Sequence, residues 1–333
     1  LSYVTKQLKS DALGRQSMAP AESSFSSAQV AILLCTYNGA EFLSAQLNSI
    51  ERQTHTNWII HASDDGSNDE TLEILQSYRK RFGQDRLVIY AGPQQGFAKN
   101  FMSLINNSEI QADYFAFCDQ DDVWFADKLA RSLKNISNIP LNMPALYCSR
   151  TRLINALGQV IGSSPLFTRK PSFRNALVQS LAGANTMMLN NAARILLTQI
   201  PNDTYIVSHD WLAYLLVSGC GGAVLYDPKP TLDYRQHGAN LIGSNTRLAD
   251  RLVRIRKMLA GTFREWNRHN LYALSNSHQW LTSNNRTALR LFMQVRESGL
   301  LLRRIYSLKK AGLYRQTLLG NIGLVVAVSI RRI

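Results

Sequence analysis

Apolar and polar positions alternate in blocks along the first 136 residues. Residues 29–38 read QVAILLCTYN, a continuous apolar run that stops in small polar residues. A strand buried on both faces has this look, its C-terminal end opening onto a loop. GAEFLSAQLNSIERQ follows, with Phe42, Leu43, Leu47 and Ile50 at helical spacing. NWIIHASDD and RLVIYAG predict two further strands, each followed by a helical stretch, SNDETLEILQSYRKRFG and GFAKNFMSLINNS. Ser67 or Asn68 is expected to open the first of these, with acids in its first turn. DYFAFCDQDD is a fourth strand and DKLARSLKNI a helix. Strands and helices in alternation imply right-handed βαβ units on a mostly parallel sheet. Ligands of such sheets bind outside the carboxyl ends of the strands. The polar groups gather at those ends, in CTYN, SDDGS, GPQQG and CDQDD.

The pattern then loosens. ALYCSRTRLINALGQVIG and PLFTRKPSFRNALVQS read as irregular, and residues 153–185 are expected to wall a pocket. GANTMMLNNAARILLTQI predicts a strand and a helix, and SHDWLAYLLVSGC a helix entered through His209 and Asp210. GAVLYDPKPTLDYRQHGANLIG is strand-rich, and the chain beyond Leu248 turns helical and basic. Residues 1–28, rich in Ser, Ala and Gln, read as a weakly ordered leader.

Charge changes the picture once it is located. The net charge is +14, and from Arg247 onward 17 Lys/Arg stand against 3 Asp/Glu, so the first 246 residues are neutral. A basic end of this kind suits nucleic acid or an anionic membrane surface. Its few aromatics form no stacking array, so nucleic acid is not expected. The longest apolar stretch, Thr317 to Ile330, has 14 residues and suits an interfacial or core-packed helix better than a span. With 45% apolar and 18% charged residues the chain is a folded protein. Its four scattered cysteines give no C-x-x-C pair and read as buried thiols.

The acids carry the candidate chemistry. Asp119 and Asp121, one residue apart at a strand end, can share a hard cation such as Mg²⁺ or Mn²⁺, or one of the group can cap a helix starting near Val123, a role that fits Asp122. Asp64 or Asp65 can accept from a nucleobase or ribose, although Gly66, Ser67 and Asn68 alone would make the turn. No G-x-G-x-x-G or P-loop motif occurs, so phosphate must be met by metal and side chains, Lys99 among them unless it is an exposed helix lysine. Asp210 is either a general base or an N-cap. His237, after a strand and before a glycine, can complete a metal shell.

Taken together, these stretches resemble the family 2 glycosyltransferases of GT-A fold over residues 29–246. The likeness rests on ILLCTYNGAEFLSAQLNSIERQTHTNWIIHASDDGSNDET, GFAKNF, FAFCDQDDVWFADKL, SHDW and YRQHGANLIG. DQDDVW with YRQHG resembles the bacterial surface-polysaccharide branch that includes rhamnosyltransferases. The resemblance implies an α/β, Rossmann-like, mostly parallel sheet flanked by helices over residues 29–246; the basic helical region 247–333 lies outside it and inherits no function from it, its charge alone suiting contact with an anionic membrane. It implies donor contacts from Thr36, Tyr37, Asn38, Asp64, Asp65, Lys99, Asp119 and Gln120. It also implies a Mg²⁺ or Mn²⁺ site at Asp119, Asp121 and His237, with Asp210 as base. His209 departs from the acid that usually precedes that base. The implied reaction is inverting transfer from a nucleotide sugar, dTDP-L-rhamnose first, to a free or lipid-linked glycan at the inner face of the cell membrane. A UDP-hexose or UDP-N-acetylhexosamine donor, or a binding module without catalysis, are the alternatives.

Overall fold

The computed structural model describes residues 27–237, 260–275 and 277–333. The leader up to residue 26, the GANLIG end of the last motif and the boundary at 246/247 lie outside the described residues.

Strands β1 (Val30–Thr36), β2 (Trp58–Asp64), β3 (Leu87–Ala91) and β4 (Tyr114–Asp119) run parallel in the order β3-β2-β1-β4. Helices α1 (Ala40–Glu51), α2 (Thr71–Phe82) and α3 (Phe97–Asn106) connect them. β1 is paired on both edges and buried along its whole length, which is why its sequence is an unbroken apolar run. The register sets Thr36 against Asp64 and Cys35 against Asp119, so the polar strand ends meet at one edge of the sheet.

Beyond β4 the sheet becomes mixed. β8 (Met188–Asn190) pairs antiparallel with β4 and with β6 (Ala145–Asn155), and β6 runs parallel to β9 (Ala223–Gln236). β5 (Val123–Trp124) closes the far edge against β9, and β7 (Val160–Ser163) folds back on β6. The stretch read as irregular is therefore a long strand and hairpin. Arg150 and Arg152 interrupt its apolar pattern, and register shifts at Ser149/Arg150 and Arg150/Arg152 absorb the prolines of DPKP opposite.

Two helix starts are also corrected. No helix begins at Val123; α4 (Lys128–Ile136) starts five residues later, after Asp127. α2 starts at Thr71 because Ser67 and Asn68 are held in the preceding loop by Asp64 and Asn38.

The sheet divides two apolar layers. On one face α1, α2 and α4 pack over Val30, Ile32 and Leu34. On the other lie α3, α5 (Phe173–Ala176), α6 (Asn191–Thr198) and α7 (His209–Gly219). α7 is buried on nearly every side, because α8 (Thr262–Ser275), α9 (Ser283–Glu297), α10 (Leu301–Ala311) and α11 (Leu318–Ser329) complete that layer. Leu274, Phe292, Val295 and Val328 join Tyr214 and Leu216 in one cluster. Asn285 of α9 donates to the Ser218 and Gly219 carbonyls at 3.0 and 2.9 Å, satisfying the end of α7. Among the described residues no helix is long and apolar enough to cross a membrane.

Candidate active site

The loop after β1 is braced by side chains from its neighbours. Gln120 accepts from the Tyr37 N–H at 2.8 Å and donates to the Tyr37 carbonyl at 3.0 Å, joining the ends of β1 and β4. Ser67, Thr71 and Asp69 accept the N–H groups of Asn38, Gly39 and Ala40 at 2.9, 2.8 and 3.0 Å. Asn38 sits at φ 46°, and its Oδ1 accepts from Asn68 N–H at 2.9 Å. The first donors of α1 are thereby taken by protein, and its N-terminus is no open phosphate cradle.

Asp64 is filled from within. Its Oδ1 accepts from Thr36 and Ser67 hydroxyls at 2.8 and 2.6 Å, and its Oδ2 from Gly66 and Ser67 N–H at 3.2 and 2.8 Å. Four donors fill the acceptor sites of this carboxylate, so Thr36 and Asp64 brace the loop. Asp65 accepts from Gln94 and Gly96 N–H at 2.7 and 2.8 Å, fixing the loop before α3 and leaving half of its acceptor capacity. Lys99 is likewise redirected. Its ammonium donates to the carbonyls of Asn202 and, at 2.9 Å, Thr204, tying α3 to the segment that enters α7. Lys99 and Gln120, both expected at the donor, make these internal bonds.

The acids after β4 do converge. Asp121 Oδ2 lies 2.8 Å from His237 Nε2, with both side chains mostly buried. His237 also packs on Phe42, ring centroids 4.9 Å apart, and the Arg235 guanidinium covers that ring at 4.6 Å. Arg235 Nε donates to the Asp121 carbonyl at 3.0 Å. Asp122 is fully buried and accepts from Asn185 Nδ2 at 2.6 Å and Arg235 N–H at 3.3 Å. It anchors the turn rather than capping a helix. Asn185 ends the stretch expected to wall a pocket, whereas Phe42 and Arg235 carry no such signal in the sequence. Phe42 passed for core, and Arg235 was overlooked inside YRQHG because its role needs β9 to lie against the DQDD turn.

Asp210 enters the same crevice from the first turn of α7. Its Oδ1 accepts from Trp211 N–H at 2.8 Å, and Ser180 Oγ lies 3.4 Å from Oδ2. Burial raises its carboxyl above the usual range, opposed by these donors and by the Ser208 hydroxyl. Asp119 is pushed up to about 8, by burial first and then by the charges of Asp121 and Asp210. Residues 91 positions apart in sequence thus feel one another across the mouth of the sheet.

His209 contributes no charge to this group. It is buried, stacked on Phe101 at 3.9 Å and edge-on to Phe117 at 4.7 Å, and burial pulls its imidazole down to about 3. Trp211, on the other side of Asp210, donates to the Ala176 carbonyl at 2.7 Å and meets Phe263 and Trp266 of α8, both at 6.3 Å.

The oxygen-rich set suits a hard divalent cation. Among the described residues no group of three or more His, Cys, Asp or Glu side chains is placed to hold a metal ion, so Asp119 is not brought together with Asp121 and His237 as one ligand set. Magnesium ordinarily takes only one or two carboxylates, filling its shell with water and substrate phosphates. An octahedron with bonds of about 2.1 Å has edges of about 3 Å, so the Asp121–His237 pair at 2.8 Å can span one edge. The repulsion that raises Asp119 is of the kind a cation relieves.

Comparison with known proteins bears on the fold. Residues 31–187 match the family model Glycosyl transferase family 2. The dTDP-rhamnosyl transferase RfbG of Shigella flexneri is 28% identical over 222 residues, 64% of this chain and 74% of that protein. The putative teichuronic acid biosynthesis glycosyltransferase TuaG of Bacillus subtilis is 32% identical over 106 residues, 32% of this chain and 40% of its own length. The mannosyltransferase PcManGT of Pyrobaculum calidifontis, solved with GDP-Man and Mn²⁺, has a similar fold, with a TM-score of 0.50 at 13% identity over 92% of this chain and 87% of that one. Residues 31–187 are thus similar to the glycosyltransferase family 2 model, and the fold is that of the GT-A glycosyltransferases.

Proposed function

We propose that the protein is an inverting glycosyltransferase that moves a sugar from a nucleoside-diphosphate donor to a hydroxyl of a growing bacterial surface glycan. The observation that carries the reading is the Asp121–His237 pair just past the carboxyl end of β4, with Asp119 near enough to Asp210 for their charges to act on one another. A binding module has no use for a third carboxylate delivered from a different element. The names of the relatives RfbG and TuaG support a surface glycan as product and dTDP-L-rhamnose as the first donor to test. The corresponding location is the cytoplasmic face of the cell membrane, where a lipid-linked acceptor would be met.

Asp210 takes the proton from the acceptor hydroxyl as that oxygen attacks the anomeric carbon, and the nucleoside diphosphate leaves on the opposite side. The N–H of Trp211 and the hydroxyls of Ser208 and Ser180 keep its carboxylate aimed into the crevice. Tyr37, 58% exposed, offers a ring for the base, and Asp65 keeps acceptor capacity for a ribose hydroxyl. Asp121 and His237, the pair in contact, would hold Mg²⁺ or Mn²⁺ together with water and the donor phosphates, and the ion would supply positive charge where the diphosphate departs. Phe42 and Arg235 fix the His237 ring and the Asp121 backbone, so that this charge stands in one place.

Asp210→Asn should retain donor binding while turnover falls by about 10²–10⁴-fold. Near-normal turnover would remove Asp210 from its role. A thermal-shift series with Mn²⁺ and dTDP-rhamnose, then UDP-sugars, identifies the donor. A cognate sugar at 100 times its Kd adds about 2.7 kcal/mol of stability. Asp121→Ala should abolish the cation-dependent part of that gain, and full transfer in EDTA would exclude a required ion.

A further inference from the structure

The C-terminal helices carry a second cluster of functional groups. α8 and α9 meet the end of α11 around two adjoining hollows of about 350 and 380 Å³. Arg264, Arg268, Arg296, Arg331 and Arg332 line them, accompanied by Glu265 and Glu297. Glu265 is already paired with Arg268. Arg296 is the inner member: Nη2 donates to the Arg264 carbonyl at 3.2 Å, while Nη1 is buried without a hydrogen-bond partner among the described residues. Burial, and next the Arg264 charge, bring its guanidinium down to about 10. Crowded cations with an unsatisfied buried N–H are stabilised by an oxyanion, and the planar guanidinium fork fits phosphate in two-point contact.

An apolar ridge adjoins the hollow. Arg331 Nη2 donates to the Gly299 carbonyl at 2.6 Å and so holds the start of α10 at the rim. There Leu300, Leu301 and Leu302 are 70%, 47% and 85% exposed, and Ile330 beside Arg331 is 43% exposed. Ile322, Val325 and Val326 continue the exposed face along α11. A contiguous apolar set of this kind marks a contact surface. Its partner is indicated by charge. Among the described residues from 260 onward, 12 Lys/Arg stand against 2 Glu, so a second copy of this face would be repelled. An anionic bilayer answers both features, with oxyanions for the arginines and an acyl boundary for the leucines.

We infer that this end of the molecule docks on an anionic phospholipid bilayer, the arginine hollow taking a lipid phosphate while Leu300, Leu301, Leu302 and Ile330 enter the acyl boundary. The face shares a membrane-side location with the sugar-transfer reading but uses none of its residues, so either can fail alone.

The test is co-sedimentation of the full chain with phosphatidylglycerol vesicles and, separately, phosphatidylcholine vesicles. Binding to the first and weak binding to the second is expected. Leu302→Asp, at a position too exposed to disturb the fold, should weaken partition roughly tenfold. Arg264→Gln with Arg332→Gln should weaken it about fivefold per arginine. Circular dichroism establishes that each variant is folded, and sugar transfer to a soluble acceptor should persist in both. Failure to bind phosphatidylglycerol, or binding unchanged in both variants, overturns the inference. Stabilisation by inorganic pyrophosphate without vesicle binding also overturns it, assigning the hollow to a soluble anion.

Discussion

Asp122 and Asp64 are carboxylates that do structural work inside an acid-rich site. Replacing Asn185 by Leu removes the 2.6 Å donor to buried Asp122 and should cost about 1–3 kcal/mol. Chemical denaturation measures that loss, and transfer should fall with it because the DQDD turn loosens. Gly92 is a second sensitive point. A Cβ there would lie 2.8 Å from the Asp64 carbonyl and from Asn100 Oδ1, and 2.9 Å from Asp65 Oδ1. Gly92→Ala should therefore displace Asp65 and weaken donor binding more than it slows turnover, read as a rise in KM. At this scale the sequence singles out Asp119, Asp121, Asp210 and His237, because carboxylates at strand ends stand out against an apolar background, and the structure joins Asp121 to His237. The sequence did not disclose the division of labour. Whether Asp64 or Lys99 faces a ligand or a backbone group depends on partners 28 and 103 residues away, to which local pattern is blind.

The long pairing of β6 with β9 supports the His237 end of the site. Its hinge of charge is Asp227, which accepts from Arg131 Nε and Nη2 at 2.5 and 2.9 Å, from Tyr147 Oη at 2.9 Å and from Lys229 N–H at 3.0 Å. Burial alone would raise this carboxyl, but the donors outweigh it and hold it below the ordinary value. A depressed folded pKa contributes stability that is complete above the unfolded pKa, near 3.9, and disappears as pH falls through the folded one. Asp227→Asn should cost about 2 kcal/mol at neutral pH. Its stability should then fall less steeply than that of the parent below about pH 4, as urea unfolding at several pH values would show. β6 and β9 were also the hardest elements to read. The parallel half of the sheet, buried on both faces, writes itself as apolar runs. β6 carries Arg150 and Arg152 with one edge toward β9, and β9 carries two prolines, so neither keeps a clean period.

The basic C-terminal region reads in sequence as an extension, because its composition changes near Arg247. In the molecule its helices finish the core around α7. Phe292→Ala should accordingly cost about 3–5 kcal/mol, and a chain cut at Arg247 should lose cooperative unfolding in calorimetry, since Leu216 and its neighbours would face water. Charge count marks where composition shifts, whereas burial of Leu274, Phe292 and Val328 decides what folds together. Trp211 gives this shared core a thermodynamic meaning. It follows Asp210 in the chain and rests on Phe263 and Trp266, the residues that bracket Arg264 of the cationic hollow at one remove. A ligand that shifts α8 is thus in contact, through one indole, with the helix that presents the base. Linkage makes any such coupling reciprocal: the factor by which occupancy of the hollow changes acceptor affinity is the factor by which acceptor changes occupancy of the hollow.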